Sequence, residues 1–144
     1  MELHLPDLAA TGALAARLAA AARSGDCLLL EGPLGAGKSA FARAFLRALS
    51  GDPALEVPSP TFTLVQAYDM PGGMTAWHFD LYRLDGPASL AELGWEEARE
   101  GLALVEWPDR LGRLAPADAL RLTLEPLDDE ARRATLAGWA QRAW

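Results

Sequence analysis

Cysteine, histidine and lysine are scarce in this 144-residue sequence, which contains one, two and one of them respectively. The single cysteine, Cys27, cannot form an internal disulfide and lies in an apolar run, where a thiol typically packs as a small buried side chain. The first residues lack the basic segment, apolar stretch and cleavage site of a secretion signal. No apolar run approaches the ~20 residues that span a membrane. We therefore expect a cytoplasmic protein without disulfides or membrane contact.

Positive charge is also limited, since 13 Lys and Arg face 20 Asp and Glu and give a formal net charge of -7. The isoelectric point is near 4.7. Free-standing nucleic-acid-binding domains hold phosphate backbones with clustered Lys and Arg, so this class is disfavoured and any RNA contact is expected to need a partner. The only lysine, Lys38, lies inside a glycine-rich segment, which makes its position informative.

Hydrophobic periodicity and turn residues predict one α/β domain over residues 1–144. The expected helices are 8–23, capped by Asp7, then 38–49, and one or two short helices within 87–100 that break at Gly94. The expected strands are 26–31, 61–69, 75–79, 102–106, 119–125 and 131–137. Turns at 70–74 and 126–130 should fold two strand pairs into antiparallel hairpins, so we expect a mixed parallel and antiparallel sheet flanked by helices.

A glycine-rich loop joins the strand 26–31 to the helix 38–49. Its residues, which fit the Walker A pattern, are Gly32, Pro33, Leu34, Gly35, Ala36, Gly37, Lys38 and Ser39. Glycines let backbone N–H groups curl around phosphate oxygens, and the helix N-terminus adds partial positive charge. In this pattern Lys38 contacts the outer phosphates and the Ser39 hydroxyl binds Mg²⁺. The pattern therefore predicts that residues 32–39 form a P-loop that binds nucleotide phosphates.

Two carboxylates follow apolar strands and are candidates for a magnesium site. Asp80 follows the strand 75–79, and Glu106 ends the more strongly apolar run 102–106, so Glu106 is the cleaner Walker B candidate by pattern. Either carboxylate could hold magnesium-bound water or orient an attacking water. The alternative for each is a surface acid that follows a strand.

Further candidates lie between and beside these segments. Thr61 and Thr63 belong to a proline-stiffened segment, where a threonine could reach a γ-phosphate or magnesium as switch loops do, or could be an ordinary strand residue. His78 is more typical of a structural histidine. Trp107 directly follows Glu106 and is the tryptophan most relevant to a site.

Four segments together resemble the bacterial TsaE family, also called YjeE, of tRNA threonylcarbamoyladenosine biosynthesis ATPases. The segments are Gly35-Ala36-Gly37-Lys38-Ser39, Ser59-Pro60-Thr61-Phe62 with Tyr68 downstream, His78-Phe79-Asp80-Leu81-Tyr82-Arg83, and Val105-Glu106-Trp107-Pro108. Their order and spacing match from the first helix to about residue 108. The first segment is shared by many P-loop proteins, whereas the second and third are specific.

The resemblance implies a P-loop NTPase fold and a Mg²⁺-dependent ATPase that cycles between ATP and ADP. It implies the partners TsaB and TsaD, with ATP hydrolysis resetting their complex between cycles of tRNA modification. It also implies that Asp80 is the Walker B acid, Glu106 a magnesium-linked acid needed for hydrolysis and Thr61 a switch threonine, with Trp107 near the nucleotide. Ala40 stands where the family often has a second hydroxyl residue, and we expect it beside the nucleotide without that contact.

Two alternatives remain open at this point. The loop also resembles that of shikimate kinases, but such small-molecule kinases need an arginine-bearing lid, and residues 84–104 contain one arginine, Arg99. The chain could instead be a nucleotide-gated binding module with negligible hydrolysis. The sequence has no Asn-Lys-x-Asp run that reads guanine, which favours ATP over GTP.

Overall fold

The computed structural model describes residues 1–144. Its strands are β1 (Glu2–Leu5), β2 (Cys27–Glu31), β3 (Val65–Asp69), β4 (Thr75–Asp80), β5 (Leu102–Glu106), β6 (Leu120–Pro126) and β7 (Arg132–Ala137). Its α-helices are α1 (Leu8–Ala21), α2 (Lys38–Ser50) and α3 (Trp95–Glu100), and short 3-10 helices span Pro71–Gly73, Pro87–Leu93 and Pro108–Leu114. None of the helices combines the length and apolar character needed to cross a bilayer.

The seven strands form one sheet in the order β1-β7-β6-β2-β5-β4-β3. The four central strands β6, β2, β5 and β4 are parallel neighbours, whereas β7 and β1 on one side and β3 on the other are antiparallel additions. The expected α/β fold with a mixed sheet is therefore confirmed. The strands β2 and β5 at the centre of the sheet are almost uninterrupted apolar runs, because both of their faces are covered. Strand β6 instead alternates apolar and polar residues, and its Arg121 is exposed.

Alternate residues of each central strand face opposite sides of the sheet. Leu28 and Leu30 of β2 pack with α1 and α2 in the larger of two apolar clusters. Cys27 and Leu29 pack on the other side with α3 and the 3-10 helices. Helix α1 begins as expected, since the Asp7 side chain accepts a hydrogen bond from the Ala10 N–H at 2.9 Å. The sheet is thus packed on both faces, and the ends of its strands position the loops.

The structure corrects two sequence-based expectations and adds one strand. The strand expected over 61–69 begins only at Val65, because Leu64 has a left-handed φ of 70° and its N–H donates to the Pro60 carbonyl in a turn. Strand β1 was not predicted, since four residues at a sheet edge carry little signal of their own. Helix α1 ends at Ala21 rather than residue 23, because the Asp26 carboxylate draws the Arg23 N–H away from helical pairing at 2.6 Å.

Candidate functional site

The carboxyl ends of β2, β5 and β4 lie side by side at one edge of the sheet. Parallel strands place these ends together, and ligands of α/β proteins bind in the crevice outside them. The glycine-rich loop follows β2 directly and leads into the N-terminus of α2. Asp80 and Glu106 are the last residues of β4 and β5 and are register partners. One cleft thus collects the loop and both carboxylates.

The glycine-rich loop has a backbone that only glycines adopt easily. Gly32 has a φ of 146°, and a Cβ there would lie 2.5 Å from the Leu124 carbonyl oxygen of β6. Gly37, the residue before α2, has a φ of 102°. These two positions let the chain turn tightly from strand to helix, with the first N–H groups of α2 left without intrahelical partners. A helix start of this kind attracts anions such as phosphate.

Lys38 is buried in the cleft, with 5% of its surface exposed. Its ammonium group donates to the Gly32 carbonyl and lies 3.4 Å from the centroid of the Trp107 ring. Burial lowers the pKa of Lys38, and the nearby carboxylates of Glu106 and Asp80 oppose that shift. Trp107 has a left-handed backbone (φ 58°, ψ 56°), which turns the chain at the end of β5. The ammonium charge is therefore held near the loop by a carbonyl and an aromatic face.

Glu106 is buried in the cleft, with 2% of its surface exposed. One carboxylate oxygen accepts a hydrogen bond from the Ser39 hydroxyl at 3.1 Å. The other is 2.7 Å from Nε2 of buried His78. Because a carboxylate only accepts hydrogen bonds, this contact requires the proton on Nε2. Both carboxylate oxygens are thereby fixed in orientation.

Asp80 is also buried and joins the cleft to the segment before β3. Its carboxylate accepts hydrogen bonds from the Thr61 hydroxyl at 3.2 Å and from the Tyr82 N–H at 3.1 Å. Thr61 in turn lies 2.7 Å from the Ser59 hydroxyl. The turn that shortens β3 is thus what brings Thr61 to the cleft. Thr63, the other threonine of this segment, contacts Gln66 instead.

The cleft has a volume of about 290 Å³. This volume accommodates phosphate groups, and a nucleoside would extend beyond it. The predicted site residues that line it are Leu34, Gly35, Ala36, Gly37, Lys38, Ser39, Ala40, Thr61, Asp80, Glu106 and Trp107. Gly32 and Pro33 belong to the loop but do not line the cleft, although the Gly32 carbonyl holds Lys38.

The oxygen donors of the cleft fit a magnesium ion. Mg²⁺ takes oxygen ligands and is usually bound through one or two carboxylates together with substrate phosphates and waters. Ser39, Asp80 and Glu106 supply a hydroxyl and two buried carboxylates, and Thr61 adds a second hydroxyl bonded to Asp80. The donor chemistry therefore matches this metal.

Two residues of the site were not assigned to it from sequence. His78 is more typical of a structural histidine by sequence, yet its ring contacts Glu106. Because His78 lies two residues before Asp80, the two side chains share one face of β4, and this spacing could have assigned His78 to the site. Arg132, at the start of β7, contacts the carbonyls of Ala36 and Gly35. No local pattern predicts this contact, because the partners are 96 and 97 residues apart in sequence.

Comparisons with known proteins place this cleft in context. The model of a protein family described as "Threonylcarbamoyl adenosine biosynthesis protein TsaE" matches residues 5–134. The chain is 40% identical over 123 residues to the tRNA threonylcarbamoyladenosine biosynthesis protein TsaE of Rickettsia felis, covering 85% of this chain and 71% of that one. It is 35% identical over 134 residues to the Bacillus subtilis protein of the same name, covering 92% and 82%.

A solved structure shares the same architecture. The crystal structure of Bacillus subtilis YdiB matches 98% of this chain and 86% of that chain, with a TM-score of 0.78 and 29% sequence identity. The match spans the strands and loops that form the cleft, as well as the antiparallel strands at the sheet edges.

Proposed function

Because this chain belongs to the TsaE family of threonylcarbamoyl adenosine biosynthesis proteins, we propose that it is the ATP-binding and ATP-hydrolysing component of the machinery that makes threonylcarbamoyladenosine in tRNA. One observation carries the proposal from geometry. Lys38, Ser39, Asp80 and Glu106 meet in a single cleft at the mouth of a glycine-rich loop. Two buried carboxylates and a buried ammonium beside a helix N-terminus fit a phosphate group with its metal.

Each of these residues has a part in hydrolysis. The loop N–H groups bind phosphate oxygens, and the Lys38 ammonium moves from the Gly32 carbonyl to the β- and γ-phosphates, where it neutralises charge that develops as water attacks phosphorus in line. As the water oxygen bonds to the γ-phosphorus, the bond from that phosphorus to ADP breaks and ADP leaves with the electron pair. One proton of the water stays on the phosphate product and the other goes to solvent. Glu106 retains lone pairs beyond its bonds to Ser39 and His78, so its carboxylate accepts a hydrogen bond from the attacking water.

The magnesium site comprises Ser39, Asp80 and Glu106. When bound, Mg²⁺ supplies positive charge to the phosphate oxygens. Thr61 lies on the segment before β3 and its hydroxyl donates a hydrogen bond to Asp80. The position of Thr61 therefore depends on whether the Asp80 carboxylate binds magnesium. Trp107 covers the ammonium of Lys38 and shields it from water until a nucleotide replaces the Gly32 carbonyl as its partner.

The partners we propose are TsaB and TsaD, with hydrolysis resetting their complex between cycles and tRNA contacted only through that complex. The net charge of -7 supports an indirect role, since this chain has little positive charge for RNA phosphates. Purified TsaB and TsaD should co-elute with the wild-type chain in size-exclusion chromatography with ATP present. Co-elution should weaken with Lys38→Ala, and elution as separate species with ATP would refute the partnership.

No observation favours the small-molecule kinase. The region that would supply a lid contributes Leu84, Leu90, Trp95 and Ala98 to the apolar cluster on the opposite face of the sheet from α1 and α2. Residues packed into a core are not free to close over a substrate. ADP formation that depends on added shikimate, with the γ-phosphoryl group transferred to a shikimate hydroxyl and not released as inorganic phosphate, would reinstate this alternative.

The hydrolysis itself is tested by phosphate release from ATP with magnesium, comparing the wild-type chain with Lys38→Ala. We expect slow turnover by the wild type and none above background by the variant. Equal rates for the two proteins would show that the activity comes from elsewhere. Tight ATP binding without turnover, even with the partners present, would favour the nucleotide-gated binding module.

A further inference from the structure

Arg132 contacts the glycine-rich loop from outside the cleft. Its Nε–H donates to the Ala36 carbonyl at 2.9 Å, one Nη donates to the Gly35 carbonyl at 3.3 Å, and the other Nη to the Ala131 carbonyl at 2.9 Å. All three partners are main-chain carbonyls. Arg132 forms no ion pair, in contrast to its neighbour Arg133, which pairs with Glu125 at 3.4 Å. A half-buried guanidinium is thus committed to the backbone of the loop.

These hydrogen bonds act on the peptide groups that face the phosphate site. In a trans peptide the carbonyl of one residue and the N–H of the next point in opposite directions. The Ala36 carbonyl points to Arg132, so the Gly37 N–H in the same peptide group points away from it. That N–H has no partner in the protein, whereas the Ala36 N–H already donates to the Pro33 carbonyl at 3.1 Å. The Gly37 N–H is therefore available to a phosphate oxygen.

A charged donor on the carbonyl polarises the same peptide group and strengthens its N–H as a donor. It also holds a glycine-rich segment that would otherwise sample many conformations, since Gly35 and Gly37 have positive φ values of 79° and 102°. The two-point contact fixes the loop more firmly than a single hydrogen bond, because the planar guanidinium presents its donors in a rigid fork. Both effects favour phosphate binding before any ligand arrives.

From this geometry we infer that Arg132 is a positioning residue for phosphate binding: it holds the glycine-rich loop from behind and presents the Gly37 N–H to the nucleotide. The inference rests on the proposed nucleotide-binding function and adds to it a residue that is remote from the loop in sequence. Arg132 does not line the cleft, so it acts on phosphate through the loop rather than by direct contact.

The test compares Arg132→Met with Arg133→Met, using calorimetric titration of ADP into each purified variant. Arg133 is the matched control, because it is the next residue of β7 and pairs with Glu125 instead of the loop. We expect Arg132→Met to weaken ADP binding about tenfold and Arg133→Met to leave it unchanged. Arg132→Lys should restore part of the affinity, since an ammonium can serve one of the two loop carbonyls but not both.

Chemical rescue separates positioning from a general loss of structure. Guanidinium ions at low millimolar concentration should raise the ADP affinity of Arg132→Ala and leave that of the wild type unchanged. Without ADP, the midpoint of thermal unfolding of Arg132→Ala should stay close to that of Arg133→Ala. Wild-type binding with no loss in Arg132→Met, or equal losses in both methionine variants, would overturn the inference alone. A wild-type chain that binds no ADP would overturn the proposed function as well.

Discussion

Replacing Lys38 by methionine removes the ammonium group and keeps an unbranched side chain that fits the same space. We expect the affinity for ATP to fall about 10- to 150-fold, because a hydrogen bond between a charged group and its partner contributes about 1.5–3 kcal/mol. Stability without nucleotide should change by less than about 1 kcal/mol, since two effects oppose each other. Removing the buried ammonium group is stabilising, because burial disfavours its charged form and lowers the pKa of Lys38. The loss of the hydrogen bond to the carbonyl of half-buried Gly32 is destabilising, although that carbonyl can bind water instead.

The assay pairs calorimetric titration of ATP with a thermal unfolding scan of the same samples. At this chain length a change of 1 kcal/mol shifts the unfolding midpoint by about 4 °C, so a small shift with a large loss of affinity identifies Lys38 as a ligand-binding group. Arg43→Met is the control, because Arg43 is exposed on the same helix. An affinity within about twofold of the wild type would refute the reasoning. So would unfolding of the variant in the absence of nucleotide.

The remaining predictions concern four buried residues. Glu106→Gln should bind ATP normally but hydrolyse it at least about 100-fold more slowly, and normal turnover measured by phosphate release would contradict its role. Asp80→Asn should raise the magnesium concentration needed for half-maximal hydrolysis, and an unchanged magnesium titration would leave Asp80 a structural acid. His78→Leu should lower kcat and leave KM unchanged, because Glu106 loses the hydrogen-bond donor that orients it. His78→Gln keeps a donor near the position of Nε2 and should recover most of kcat. Equal kcat values for the two variants would show that His78 does not orient Glu106. Burial raises the pKa of Cys27 to about 12, so about one thiol in ten thousand is ionised at pH 8. Iodoacetamide should therefore label Cys27 only in denaturant. Rapid labelling of the folded chain would contradict this burial.

The parts of the site that were predictable have local signals. The strand, glycine-rich loop and helix around Lys38 follow one another within 24 residues, Cys27–Ser50, and the loop requires residue types that few other structures need. Asp80 and Glu106 could be identified because each ends an apolar strand, and parallel strands bring such ends together. The alternation of helices and hairpins was likewise sufficient for the mixed sheet.

The parts that were not predictable depend on contacts between distant segments. Strand β1 has four residues and is stabilised by pairing with β7 at the far end of the chain. Thr61 was a candidate site residue, but it was expected in a strand, and the turn at Leu64 that places it against Asp80 was not predicted. Arg132 contacts a loop almost 100 residues earlier in the sequence. It does so because β7 runs antiparallel to β6, so the first residue of β7 lies beside the carboxyl end of β6. Such contacts are decided by the packing of the whole sheet, which periodicity in a short window does not contain.

The most direct test of the proposed function is the steady-state rate of ATP hydrolysis with magnesium, measured for the chain alone and then with purified TsaB and TsaD. We predict slow phosphate release by the chain alone, a large increase when both partners are added, and no increase with Glu106→Gln. A chain that binds ATP and hydrolyses it at the same rate with and without TsaB and TsaD would contradict a partner-dependent ATPase.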